Sequence, residues 1–325
     1  MHRQITPSEH SMLPAQSPPA FAWEAWYQSI GGRSIHISEV DEILRQIKEL
    51  QYPRFVGTVN PHVTTFASMA EASEAIKAKA FELGAGEVGI AEIEPTDIYQ
   101  GRRVYEKYAI VVGQQMLWRQ FQNVPSHDSA VECLRVYYTL GETVIQLAEF
   151  IRSLGYPCVV EHPIGDSDVL HVPLALKAGF GELGRHGSII HPRMGPMFRL
   201  GSVITDMPLQ LDHPIDAGIA AFCDKCKACR IYCPAKAIPD HRSPEAGKDH
   251  LGNDRYVVDT GRCFPYFAKH NYCSICLPVC VYHHKEWARD FAGYKTKLFP
   301  DIDLQEPPAP VDPVIAKHWY PKLNR

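Results

Sequence analysis

The sequence predicts a mixed α+β fold in two parts, a helix- and strand-forming region at 36–220 and a cysteine-rich segment at 221–290. Apolar residues recur at helical spacing and at strand spacing through the first part. Eight of the ten cysteines fall between Cys223 and Cys280. Residues 1–35 are polar and proline-dotted, and residues 291–325 are proline-rich, so we expect an N-terminal arm and an extended C-terminal tail.

Two helices are expected early in the first part. Ser38 with Asp41 can cap a helix whose apolar residues share one face. Ser68 and Glu71 form the Ser-x-x-Glu pattern of a capping box. The helix that this box opens is expected to end near Gly84, because glycine is common just beyond a helix C-terminus.

A long helix and four strands complete the first part. Residues 128–154 are predicted to be mostly helical, with Gly141 as the point where the helix could break and Gly155 as its end. Short β-branched and apolar runs predict strands at 86–93, 108–112, 188–191 and 200–205.

The cysteines follow a spacing that is typical of iron–sulfur proteins. The first run, Cys-x2-Cys-x2-Cys-x3-Cys-Pro, matches the bacterial ferredoxin signature to the residue. Three thiolates at this spacing can hold one 4Fe–4S cluster while the fourth reaches a neighbouring cluster. The expected ligands are therefore Cys223, Cys226, Cys229 and Cys280 for one cluster, and Cys233, Cys263, Cys273 and Cys276 for the other.

Other roles for these cysteines fit less well. A disulfide framework is typical of small secreted domains, whereas this chain has 325 residues. Zinc sites use paired Cys-x2-Cys knuckles rather than a run that ends in x3-Cys-Pro. Cys263 stands much further before Cys273 than in a plain ferredoxin, so the residues between them must bulge. Cys133 and Cys158 lie outside the pattern and are expected to be buried thiols.

Composition predicts an ordinary soluble globular chain. Hydrophobic residues make up 45%, charged residues 22%, and the formal net charge is −4, so no electrostatic footprint for nucleic acid is present. No apolar run approaches the roughly 20 residues that span a bilayer. The N-terminal sequence lacks both an apolar export core and a twin-arginine pair. We therefore expect a cytoplasmic protein, in a compartment that keeps thiols reduced.

A glycine-rich stretch at 175–209 precedes the cysteines. Its segment from Gly179 to Gly184 satisfies GxGxxG, but a dinucleotide fingerprint requires a strand before it and a helix after it. Here a helical pattern precedes and a strand pattern follows, so a Rossmann site is not expected. The glycines either let the backbone approach a large flat ligand or form tight turns between core elements.

Taken together, the glycine stretch and the cysteine pattern resemble the cobalamin-dependent reductive dehalogenases. The likeness covers residues 70–285 and includes LAEFIRSLGYP at 147–157. Epoxyqueuosine reductases, which act on tRNA, are similar more distantly and have Gly-Lys-Asn where this chain has Gly184-Arg185-His186. The resemblance implies a nitroreductase-like cobalamin-binding domain at 36–220, packed against a bacterial two-cluster ferredoxin domain at 221–290.

The resemblance also implies that cobalamin binds base-off, without a protein ligand to cobalt. This chain agrees, since it contains no Asp-x-His-x-x-Gly segment of the kind that supplies a cobalt-ligating histidine. The glycine stretch is then expected to contact the corrinoid through Gly181, Gly184, Arg185, His186, Gly187, Ser188 and Gly195.

A proton donor and a cation can be proposed by position. In the dehalogenases a tyrosine ahead of the segment that resembles IRSLGY acts as the acid, beside a lysine or arginine. Tyr138 matches that place with Tyr137 adjacent, Arg199 is the candidate cation, and Arg193 is the second choice. A cation beside a phenol makes it a better proton donor and can stabilise a leaving halide. The alternative is that these tyrosines only pack in the core.

Histidines cluster ahead of the cysteines. None shows paired metal-ligand spacing on one helix, so solvated or corrin-contacting side chains are expected rather than a metal site, for His162, His171, His186 and His191. A surface pair is expected at His283 and His284.

The function implied is reductive dehalogenation of a small organohalide by way of cob(I)alamin. Electrons would come from an external low-potential donor of ferredoxin or flavodoxin type, and no membrane partner is expected. Two alternatives remain open: an epoxyqueuosine-type reductase acting on tRNA, and a non-catalytic electron carrier or cobalamin-handling protein.

Overall fold

The computed structural model describes residues 36–165 and 167–284, without the side chains of His283 and His284. The predicted arm, tail and histidine pair therefore lie outside the described part. The helices are α1 Ser38–Gln46, α2 Met69–Glu82, α3 His127–Ser153, α4 His171–Lys177, α5 Ile219–Lys225, α6 Ala228–Tyr232, α7 Thr260–Lys269 and α8 Val281–His284. The strands are β1 Glu87–Glu92, β2 Tyr108–Gln115, β3 Cys158–Glu161, β4 Glu182–Leu183, β5 Ile189–Ile190, β6 Phe198–Thr205, β7 Ser243–Lys248 and β8 Asp254–Arg255.

A four-stranded antiparallel sheet forms the centre of the first part, in the order β1–β2–β6–β3. Successive side chains of a strand point to opposite faces, so both faces can be buried. Ile90, Ile110 and Val203 face one side and pack with the apolar residues of α2 and α3. Ala109 and Val111 face the other side and pack with α4 and the glycine stretch. The predicted mixture of helices and sheet is confirmed.

Helix starts agree with the sequence in one case and differ in another. At α2 the Ser68 side chain accepts a hydrogen bond from the Glu71 backbone N–H at 3.1 Å, as a capping residue should. The expected cap on α1 is wrong. Ile37 occupies the capping position without a side-chain hydrogen bond, and Ser38 is already the first helical residue. Ile37 is buried, so apolar packing rather than capping holds this helix start.

Helix α3 continues without a break through Gly141, which corrects the expected interruption. A Cβ at Gly141 would lie 2.1 Å from His162 Nε2 and 2.6 Å from Gln51 Oε1. These two atoms are themselves 2.8 Å apart and form a buried hydrogen bond. Glycine is therefore present because two polar side chains pack against the helix backbone, not because the helix ends.

Replacing Gly141 by alanine should destabilise the protein. Alanine favours helix by about 1 kcal/mol over glycine. Here its methyl group must displace the buried His162–Gln51 pair, and overpacking of this kind typically costs 1–3 kcal/mol, occasionally more. We expect a net fall in the free energy of unfolding, measured by denaturant titration. Equal or higher stability in Gly141→Ala would show that the pair moves aside without cost.

The cysteine-rich segment has its own small apolar core, which rests on the glycine stretch. Phe222 of α5 packs edge-on against Tyr282 of α8, with ring centroids 5.4 Å apart. Both belong to an apolar cluster that includes Ile190 of β5. The β4–β5 hairpin is therefore one point of contact between this segment and the rest of the molecule. Among the helices of the described ranges, none combines the length and apolarity needed to cross a membrane.

Candidate functional site

The first predicted ligand set lines one cavity. Cys223 lies on α5, Cys229 on α6, Cys226 between these helices, and Cys280 directly before α8. All four border the same cavity. Burial raises the pKa of Cys223 and of Cys280 well above that of a free thiol. Four thiols around one cavity, three of them buried and Cys226 half-buried, fit an iron–sulfur cluster, whose binding would displace their protons.

The second predicted ligand set also comes together. Burial, with smaller contributions from the nearby Cys233 and Cys273, raises the pKa of Cys263 to about 11. Burial likewise raises the pKa of Cys276, with smaller contributions from Cys229 and from the other three cysteines of the set. The two sets therefore meet at Cys229 and Cys276. Within the described ranges, no three His, Cys, Asp or Glu side chains converge closely enough for a single metal ion.

Most of the predicted bulge between Cys263 and Cys273 is the helix α7. The Asp259 side chain caps this helix by accepting a hydrogen bond from the Arg262 backbone N–H at 3.1 Å. After α7 the chain turns sharply through four consecutive residues with positive φ, at 271–274. Non-glycine residues adopt this conformation only where surrounding structure holds them there. The turn brings the chain back so that Cys273 lies near Cys233 of the same set.

The glycines of the expected corrinoid cradle are packed against protein atoms. A Cβ at Gly181 would lie 2.0 Å from the Ile190 carbonyl oxygen, and one at Gly184 would lie 2.5 Å from Ile190 Cδ1. A Cβ at Gly187 would lie 3.0 Å from Val258 Cγ2. Gly181 and Gly184 therefore let the β4–β5 hairpin close, and Gly187 lies against Val258, so protein packing already accounts for the missing side chains at these three positions. Corrinoid contact stays a prediction for the full set, Gly181, Gly184, Arg185, His186, Gly187, Ser188 and Gly195.

A buried carboxylate fixes the start of the helix that carries Cys223. Glu182 is 0% exposed and accepts hydrogen bonds from three backbone N–H groups at the beginning of α5, at distances of 2.6 to 3.1 Å. Burial raises the pKa of Glu182, although these donors oppose the shift. The glycine stretch thereby holds α5 in position.

A buried guanidinium lies between the glycine stretch and the first ligand set. Arg185 is 1% exposed, and its Cζ lies 4.3 Å from the centre of the Tyr256 ring. Its nitrogens donate hydrogen bonds of 2.5 to 3.2 Å to five backbone carbonyls, those of Cys223, Asp224, Cys226, Pro239 and Asp240. These partners are neutral dipoles, so a full positive charge remains beside the cysteines.

His186 borders the same cavity as the first ligand set. Its Nδ1 accepts a hydrogen bond from the Ser188 backbone N–H at 3.1 Å. Burial lowers the pKa of His186 to about 4, so the ring is neutral near pH 7. With Nδ1 used as an acceptor, the proton lies on Nε2.

Arg199 and Tyr137 form the second feature of the site. Arg199 lies on β6 opposite Gln114 of β2. Its Cζ is 5.0 Å from the centre of the Tyr137 ring, and its Nη2 donates to Cys133 Sγ at 2.9 Å. Cys133 and Tyr137 are four residues apart on α3 and so share a face. Burial alone would lower the pKa of Arg199, but Tyr137, Cys133 and Cys276 raise it, so the guanidinium stays charged.

The structure pairs Arg199 with Tyr137 rather than with the predicted Tyr138. Successive helical residues point about 100° apart, so only one of the two tyrosines can face β6. Tyr138 contributes its backbone carbonyl, which accepts a hydrogen bond from Gln51 Nε2 at 2.9 Å. Arg193, the second candidate cation, is 56% exposed and pairs with Glu87. The candidate acid therefore becomes Tyr137, beside Arg199.

The Tyr137–Arg199 pair lies against the second cysteine set. Tyr137 packs with Met116 and Met197 in an apolar cluster that also takes in Tyr272 and Leu277. Tyr272 directly precedes Cys273, and Leu277 directly follows Cys276. A cluster bound by the second set would be the nearer of the two to this pair.

None of the four histidines is solvated, because His162, His186 and His191 are buried and His171 is half-buried. His162 Nε2 bonds to Gln51, and burial lowers the pKa of both His162 and His171 to about 4. His171 Nδ1 lies 3.0 Å from Ser202 Oγ, and His191 Nε2 lies 3.0 Å from Glu87 Oε2. Each ring thus has its own hydrogen bond, and a shared metal site is not formed by them within the described ranges.

The sequence did not indicate the contacts that two side chains of the candidate site make. Cys133 was expected to be only a buried thiol, yet it accepts a hydrogen bond from Arg199. Its four-residue spacing from Tyr137 on one helix was the available signal. Arg185 was expected to contact the corrinoid, whereas its observed partners are carbonyls of the cysteine segment. No sequence pattern indicates which backbone groups a buried arginine will bind.

Sequence and structure comparisons agree on one group of relatives, although no family model matches the chain. The tetrachloroethene reductive dehalogenase of Desulfitobacterium hafniense is 31% identical over 220 residues, which cover 65% of this chain and 39% of that protein. The epoxyqueuosine reductase of Salmonella typhimurium is 35% identical over 128 residues, covering 39% of this chain and 27% of the relative.

Solved structures give the same result. The catabolic reductive dehalogenase NpRdhA matches with a TM-score of 0.68 and 25% identity, over 80% of this chain and 39% of that one. The chain spans about two fifths to one half of the length of the dehalogenases it matches. The expected resemblance is thus confirmed: in sequence and in fold this chain is similar to the reductive dehalogenases, and more distantly in sequence to the epoxyqueuosine reductases.

Proposed function

We propose that this chain is a corrinoid- and iron–sulfur-dependent oxidoreductase that removes halogen from a small organohalide. The observation that carries the proposal is the charged Arg199 held 5.0 Å from the Tyr137 ring, next to a set of four cysteines. This arrangement offers a proton donor, a cation for a departing anion, and a route for electrons at one place. The similarity to reductive dehalogenases supports the same activity.

The proposed organisation assigns one task to each part of the chain. Residues 36–220 would form the nitroreductase-like cobalamin-binding domain, and residues 221–290 the ferredoxin-like domain. The first cysteine set would hold one 4Fe–4S cluster and the second set the other. The charge of Arg199 and the contacts of Tyr272 and Leu277 support the second set as the nearer donor to the reacting centre.

The overall reaction would be R–X + 2 e⁻ + H⁺ → R–H + X⁻. Bound base-off cobalamin would supply the two-electron chemistry at carbon, and the clusters would deliver single electrons from an external low-potential donor of ferredoxin or flavodoxin type. Eight reduced thiols suit a reducing compartment such as the cytoplasm.

This chain's own residues would handle the proton and the anion. The Tyr137 hydroxyl would hold the proton that reaches the carbon. The Arg199 guanidinium would stabilise the tyrosinate left behind and the departing halide. Cys133, bonded to Nη2, would keep the guanidinium in place over the ring. The buried Nε of Arg199 has no partner within the described ranges and is available to substrate or cofactor.

Halide release is the test of this proposal. The protein, reconstituted anaerobically with iron, sulfide and cobalamin, should release halide from at least one compound of a chlorinated-alkene and halophenol panel when reduced. Preparations that lack cobalamin should release none. A tRNA stem-loop carrying epoxyqueuosine, offered in parallel, should stay unreduced. Reduction of that stem-loop without halide release would replace the proposal by the tRNA-reductase alternative.

A further inference from the structure

We propose that His186 donates a hydrogen bond from Nε2 to a sulfur atom of the cluster held by the first cysteine set, and that with Arg185 it raises the reduction potential of that cluster. The inference rests on the proposed iron–sulfur function. In this inference His186 and Arg185 set the reduction potential of the first cluster, a role separate from the proton transfer proposed for Tyr137 and Arg199.

The proton of His186 is fixed by its neighbour in the chain. Nδ1 accepts the Ser188 backbone N–H at 3.1 Å, so Nδ1 cannot itself carry a proton in this geometry. The neutral ring therefore presents an N–H at Nε2. The short β4–β5 hairpin sets the ring orientation, because Gly184 N also donates to Ser188 O at 2.8 Å.

The Nε2 donor is buried and has no partner within the described ranges. His186 is 8% exposed and borders the cavity that Cys223, Cys226, Cys229 and Cys280 line. Buried donors in native proteins are nearly always paired, so an unpaired one beside a cofactor cavity indicates a partner in the occupied state. Thiolate and sulfide sulfurs are the acceptors that a cluster would present there.

Arg185 acts in the same direction by charge. Its guanidinium donates hydrogen bonds to the backbone carbonyls of Cys223 and Cys226, which places a positive charge close to two of the cysteines of this set. Adding an electron makes a cluster more negative. A nearby cation and a hydrogen bond to sulfur both stabilise the more negative state, so both raise the reduction potential.

A redox titration of the anaerobic, cluster-loaded protein, followed by paramagnetic resonance, tests the inference. In His186→Leu the cluster of the first set should become harder to reduce. Its reduced-to-oxidised ratio at a fixed potential should fall about three- to tenfold, and tenfold corresponds to 59 mV for one electron. His186→Gln keeps an N–H donor and should recover part of the shift. The second cluster, measured in the same sample, should not move.

A second measurement uses the unaltered protein. With ¹⁵N-labelled histidine, the reduced first cluster should show hyperfine coupling to one histidine nitrogen and to one exchangeable proton. Both couplings should disappear in His186→Leu. Unchanged potentials in His186→Leu, or no such coupling in unaltered protein that holds both clusters, would overturn this inference alone. Unaltered protein that takes up no iron would overturn the proposed function as well.

Discussion

Tyr137→Phe should lower the rate of halide release by on the order of a hundredfold or more, the usual contribution of general acid catalysis. The substitution keeps the ring that packs with Met116 and Met197 and that Arg199 faces, and it removes only the hydroxyl group. Iron and cobalamin loading should therefore be normal. The measurement is the initial rate of halide release by protein with matched cofactor content.

Tyr138→Phe is the matched control for this experiment. It makes the same chemical change one residue further along α3, on a helix face turned about 100° away. Its backbone carbonyl, which accepts from Gln51, is unaffected. We expect activity within a few-fold of the unaltered protein. If instead Tyr138→Phe is inactive and Tyr137→Phe is active, the acid is Tyr138 and the observed Arg199–Tyr137 contact is only packing.

Cys276→Ala and Cys280→Ala should each remove one cluster, and the two lost clusters should differ. The residues stand four positions apart in one segment, yet Cys280 lines the cavity of the first set while Cys276 lies among the second. The unaltered protein should bind about eight irons and each variant about four. Iron analysis gives the count, and paramagnetic resonance of the reduced protein identifies which cluster signal remains.

Cys158→Ala serves as the control for the cysteine variants. Its thiol donates to the Ala148 carbonyl oxygen at 3.4 Å, away from both sets. We expect the full iron content in this variant. Loss of the same signal from Cys276→Ala and Cys280→Ala would show that the two residues share a cluster, and the ligand partition would have to be redrawn.

The grouping of the cysteines in space could be predicted from sequence because their spacings along the chain are short. Three thiols at x2-x2 spacing can bind one cluster together. Placing Cys280 in the first set required one further assumption, that each half of the cysteine motif contributes one ligand to the cluster of the other half. The structure places Cys280 on the cavity that Cys223, Cys226 and Cys229 also line, and the assignment of ligands to two clusters stays a prediction.

The choice between Tyr137 and Tyr138 could not be made from sequence. Both are aromatic, adjacent and half-buried on α3. Which one meets Arg199 depends on how α3 is rotated against β6, and tertiary packing sets that angle. The glycines presented a similar difficulty. A glycine indicates that another group lies close to the backbone, but not whether that group is a ligand or protein. At Gly141, Gly181 and Gly184 the neighbouring atoms belong to the protein.

The helix α7 was missed although a signal for it was present. Asp259 with Arg262 begins a helix in the usual way, but the ferredoxin comparison favoured a loop between Cys263 and Cys273. Pro265 lies inside the helix, where proline normally disfavours helical structure. Local capping chemistry was the better guide at this position than the spacing of the motif.

Our central claim is that this chain is a corrinoid enzyme whose own clusters reduce the cobalt. Paramagnetic resonance of anaerobic protein, loaded with cobalamin and held in the cob(II)alamin state, tests this claim most directly. We expect about one cobalt per chain, with no nitrogen hyperfine splitting, because no cobalt-ligating histidine motif is present. On further reduction the cobalt signal should disappear only in protein that retains the cluster of the second set. The Cys276→Ala variant lacks that cluster, so its cobalt signal should persist. A nitrogen-split cobalt signal would contradict base-off binding. Absence of bound corrinoid from protein with both clusters intact would contradict the central claim itself.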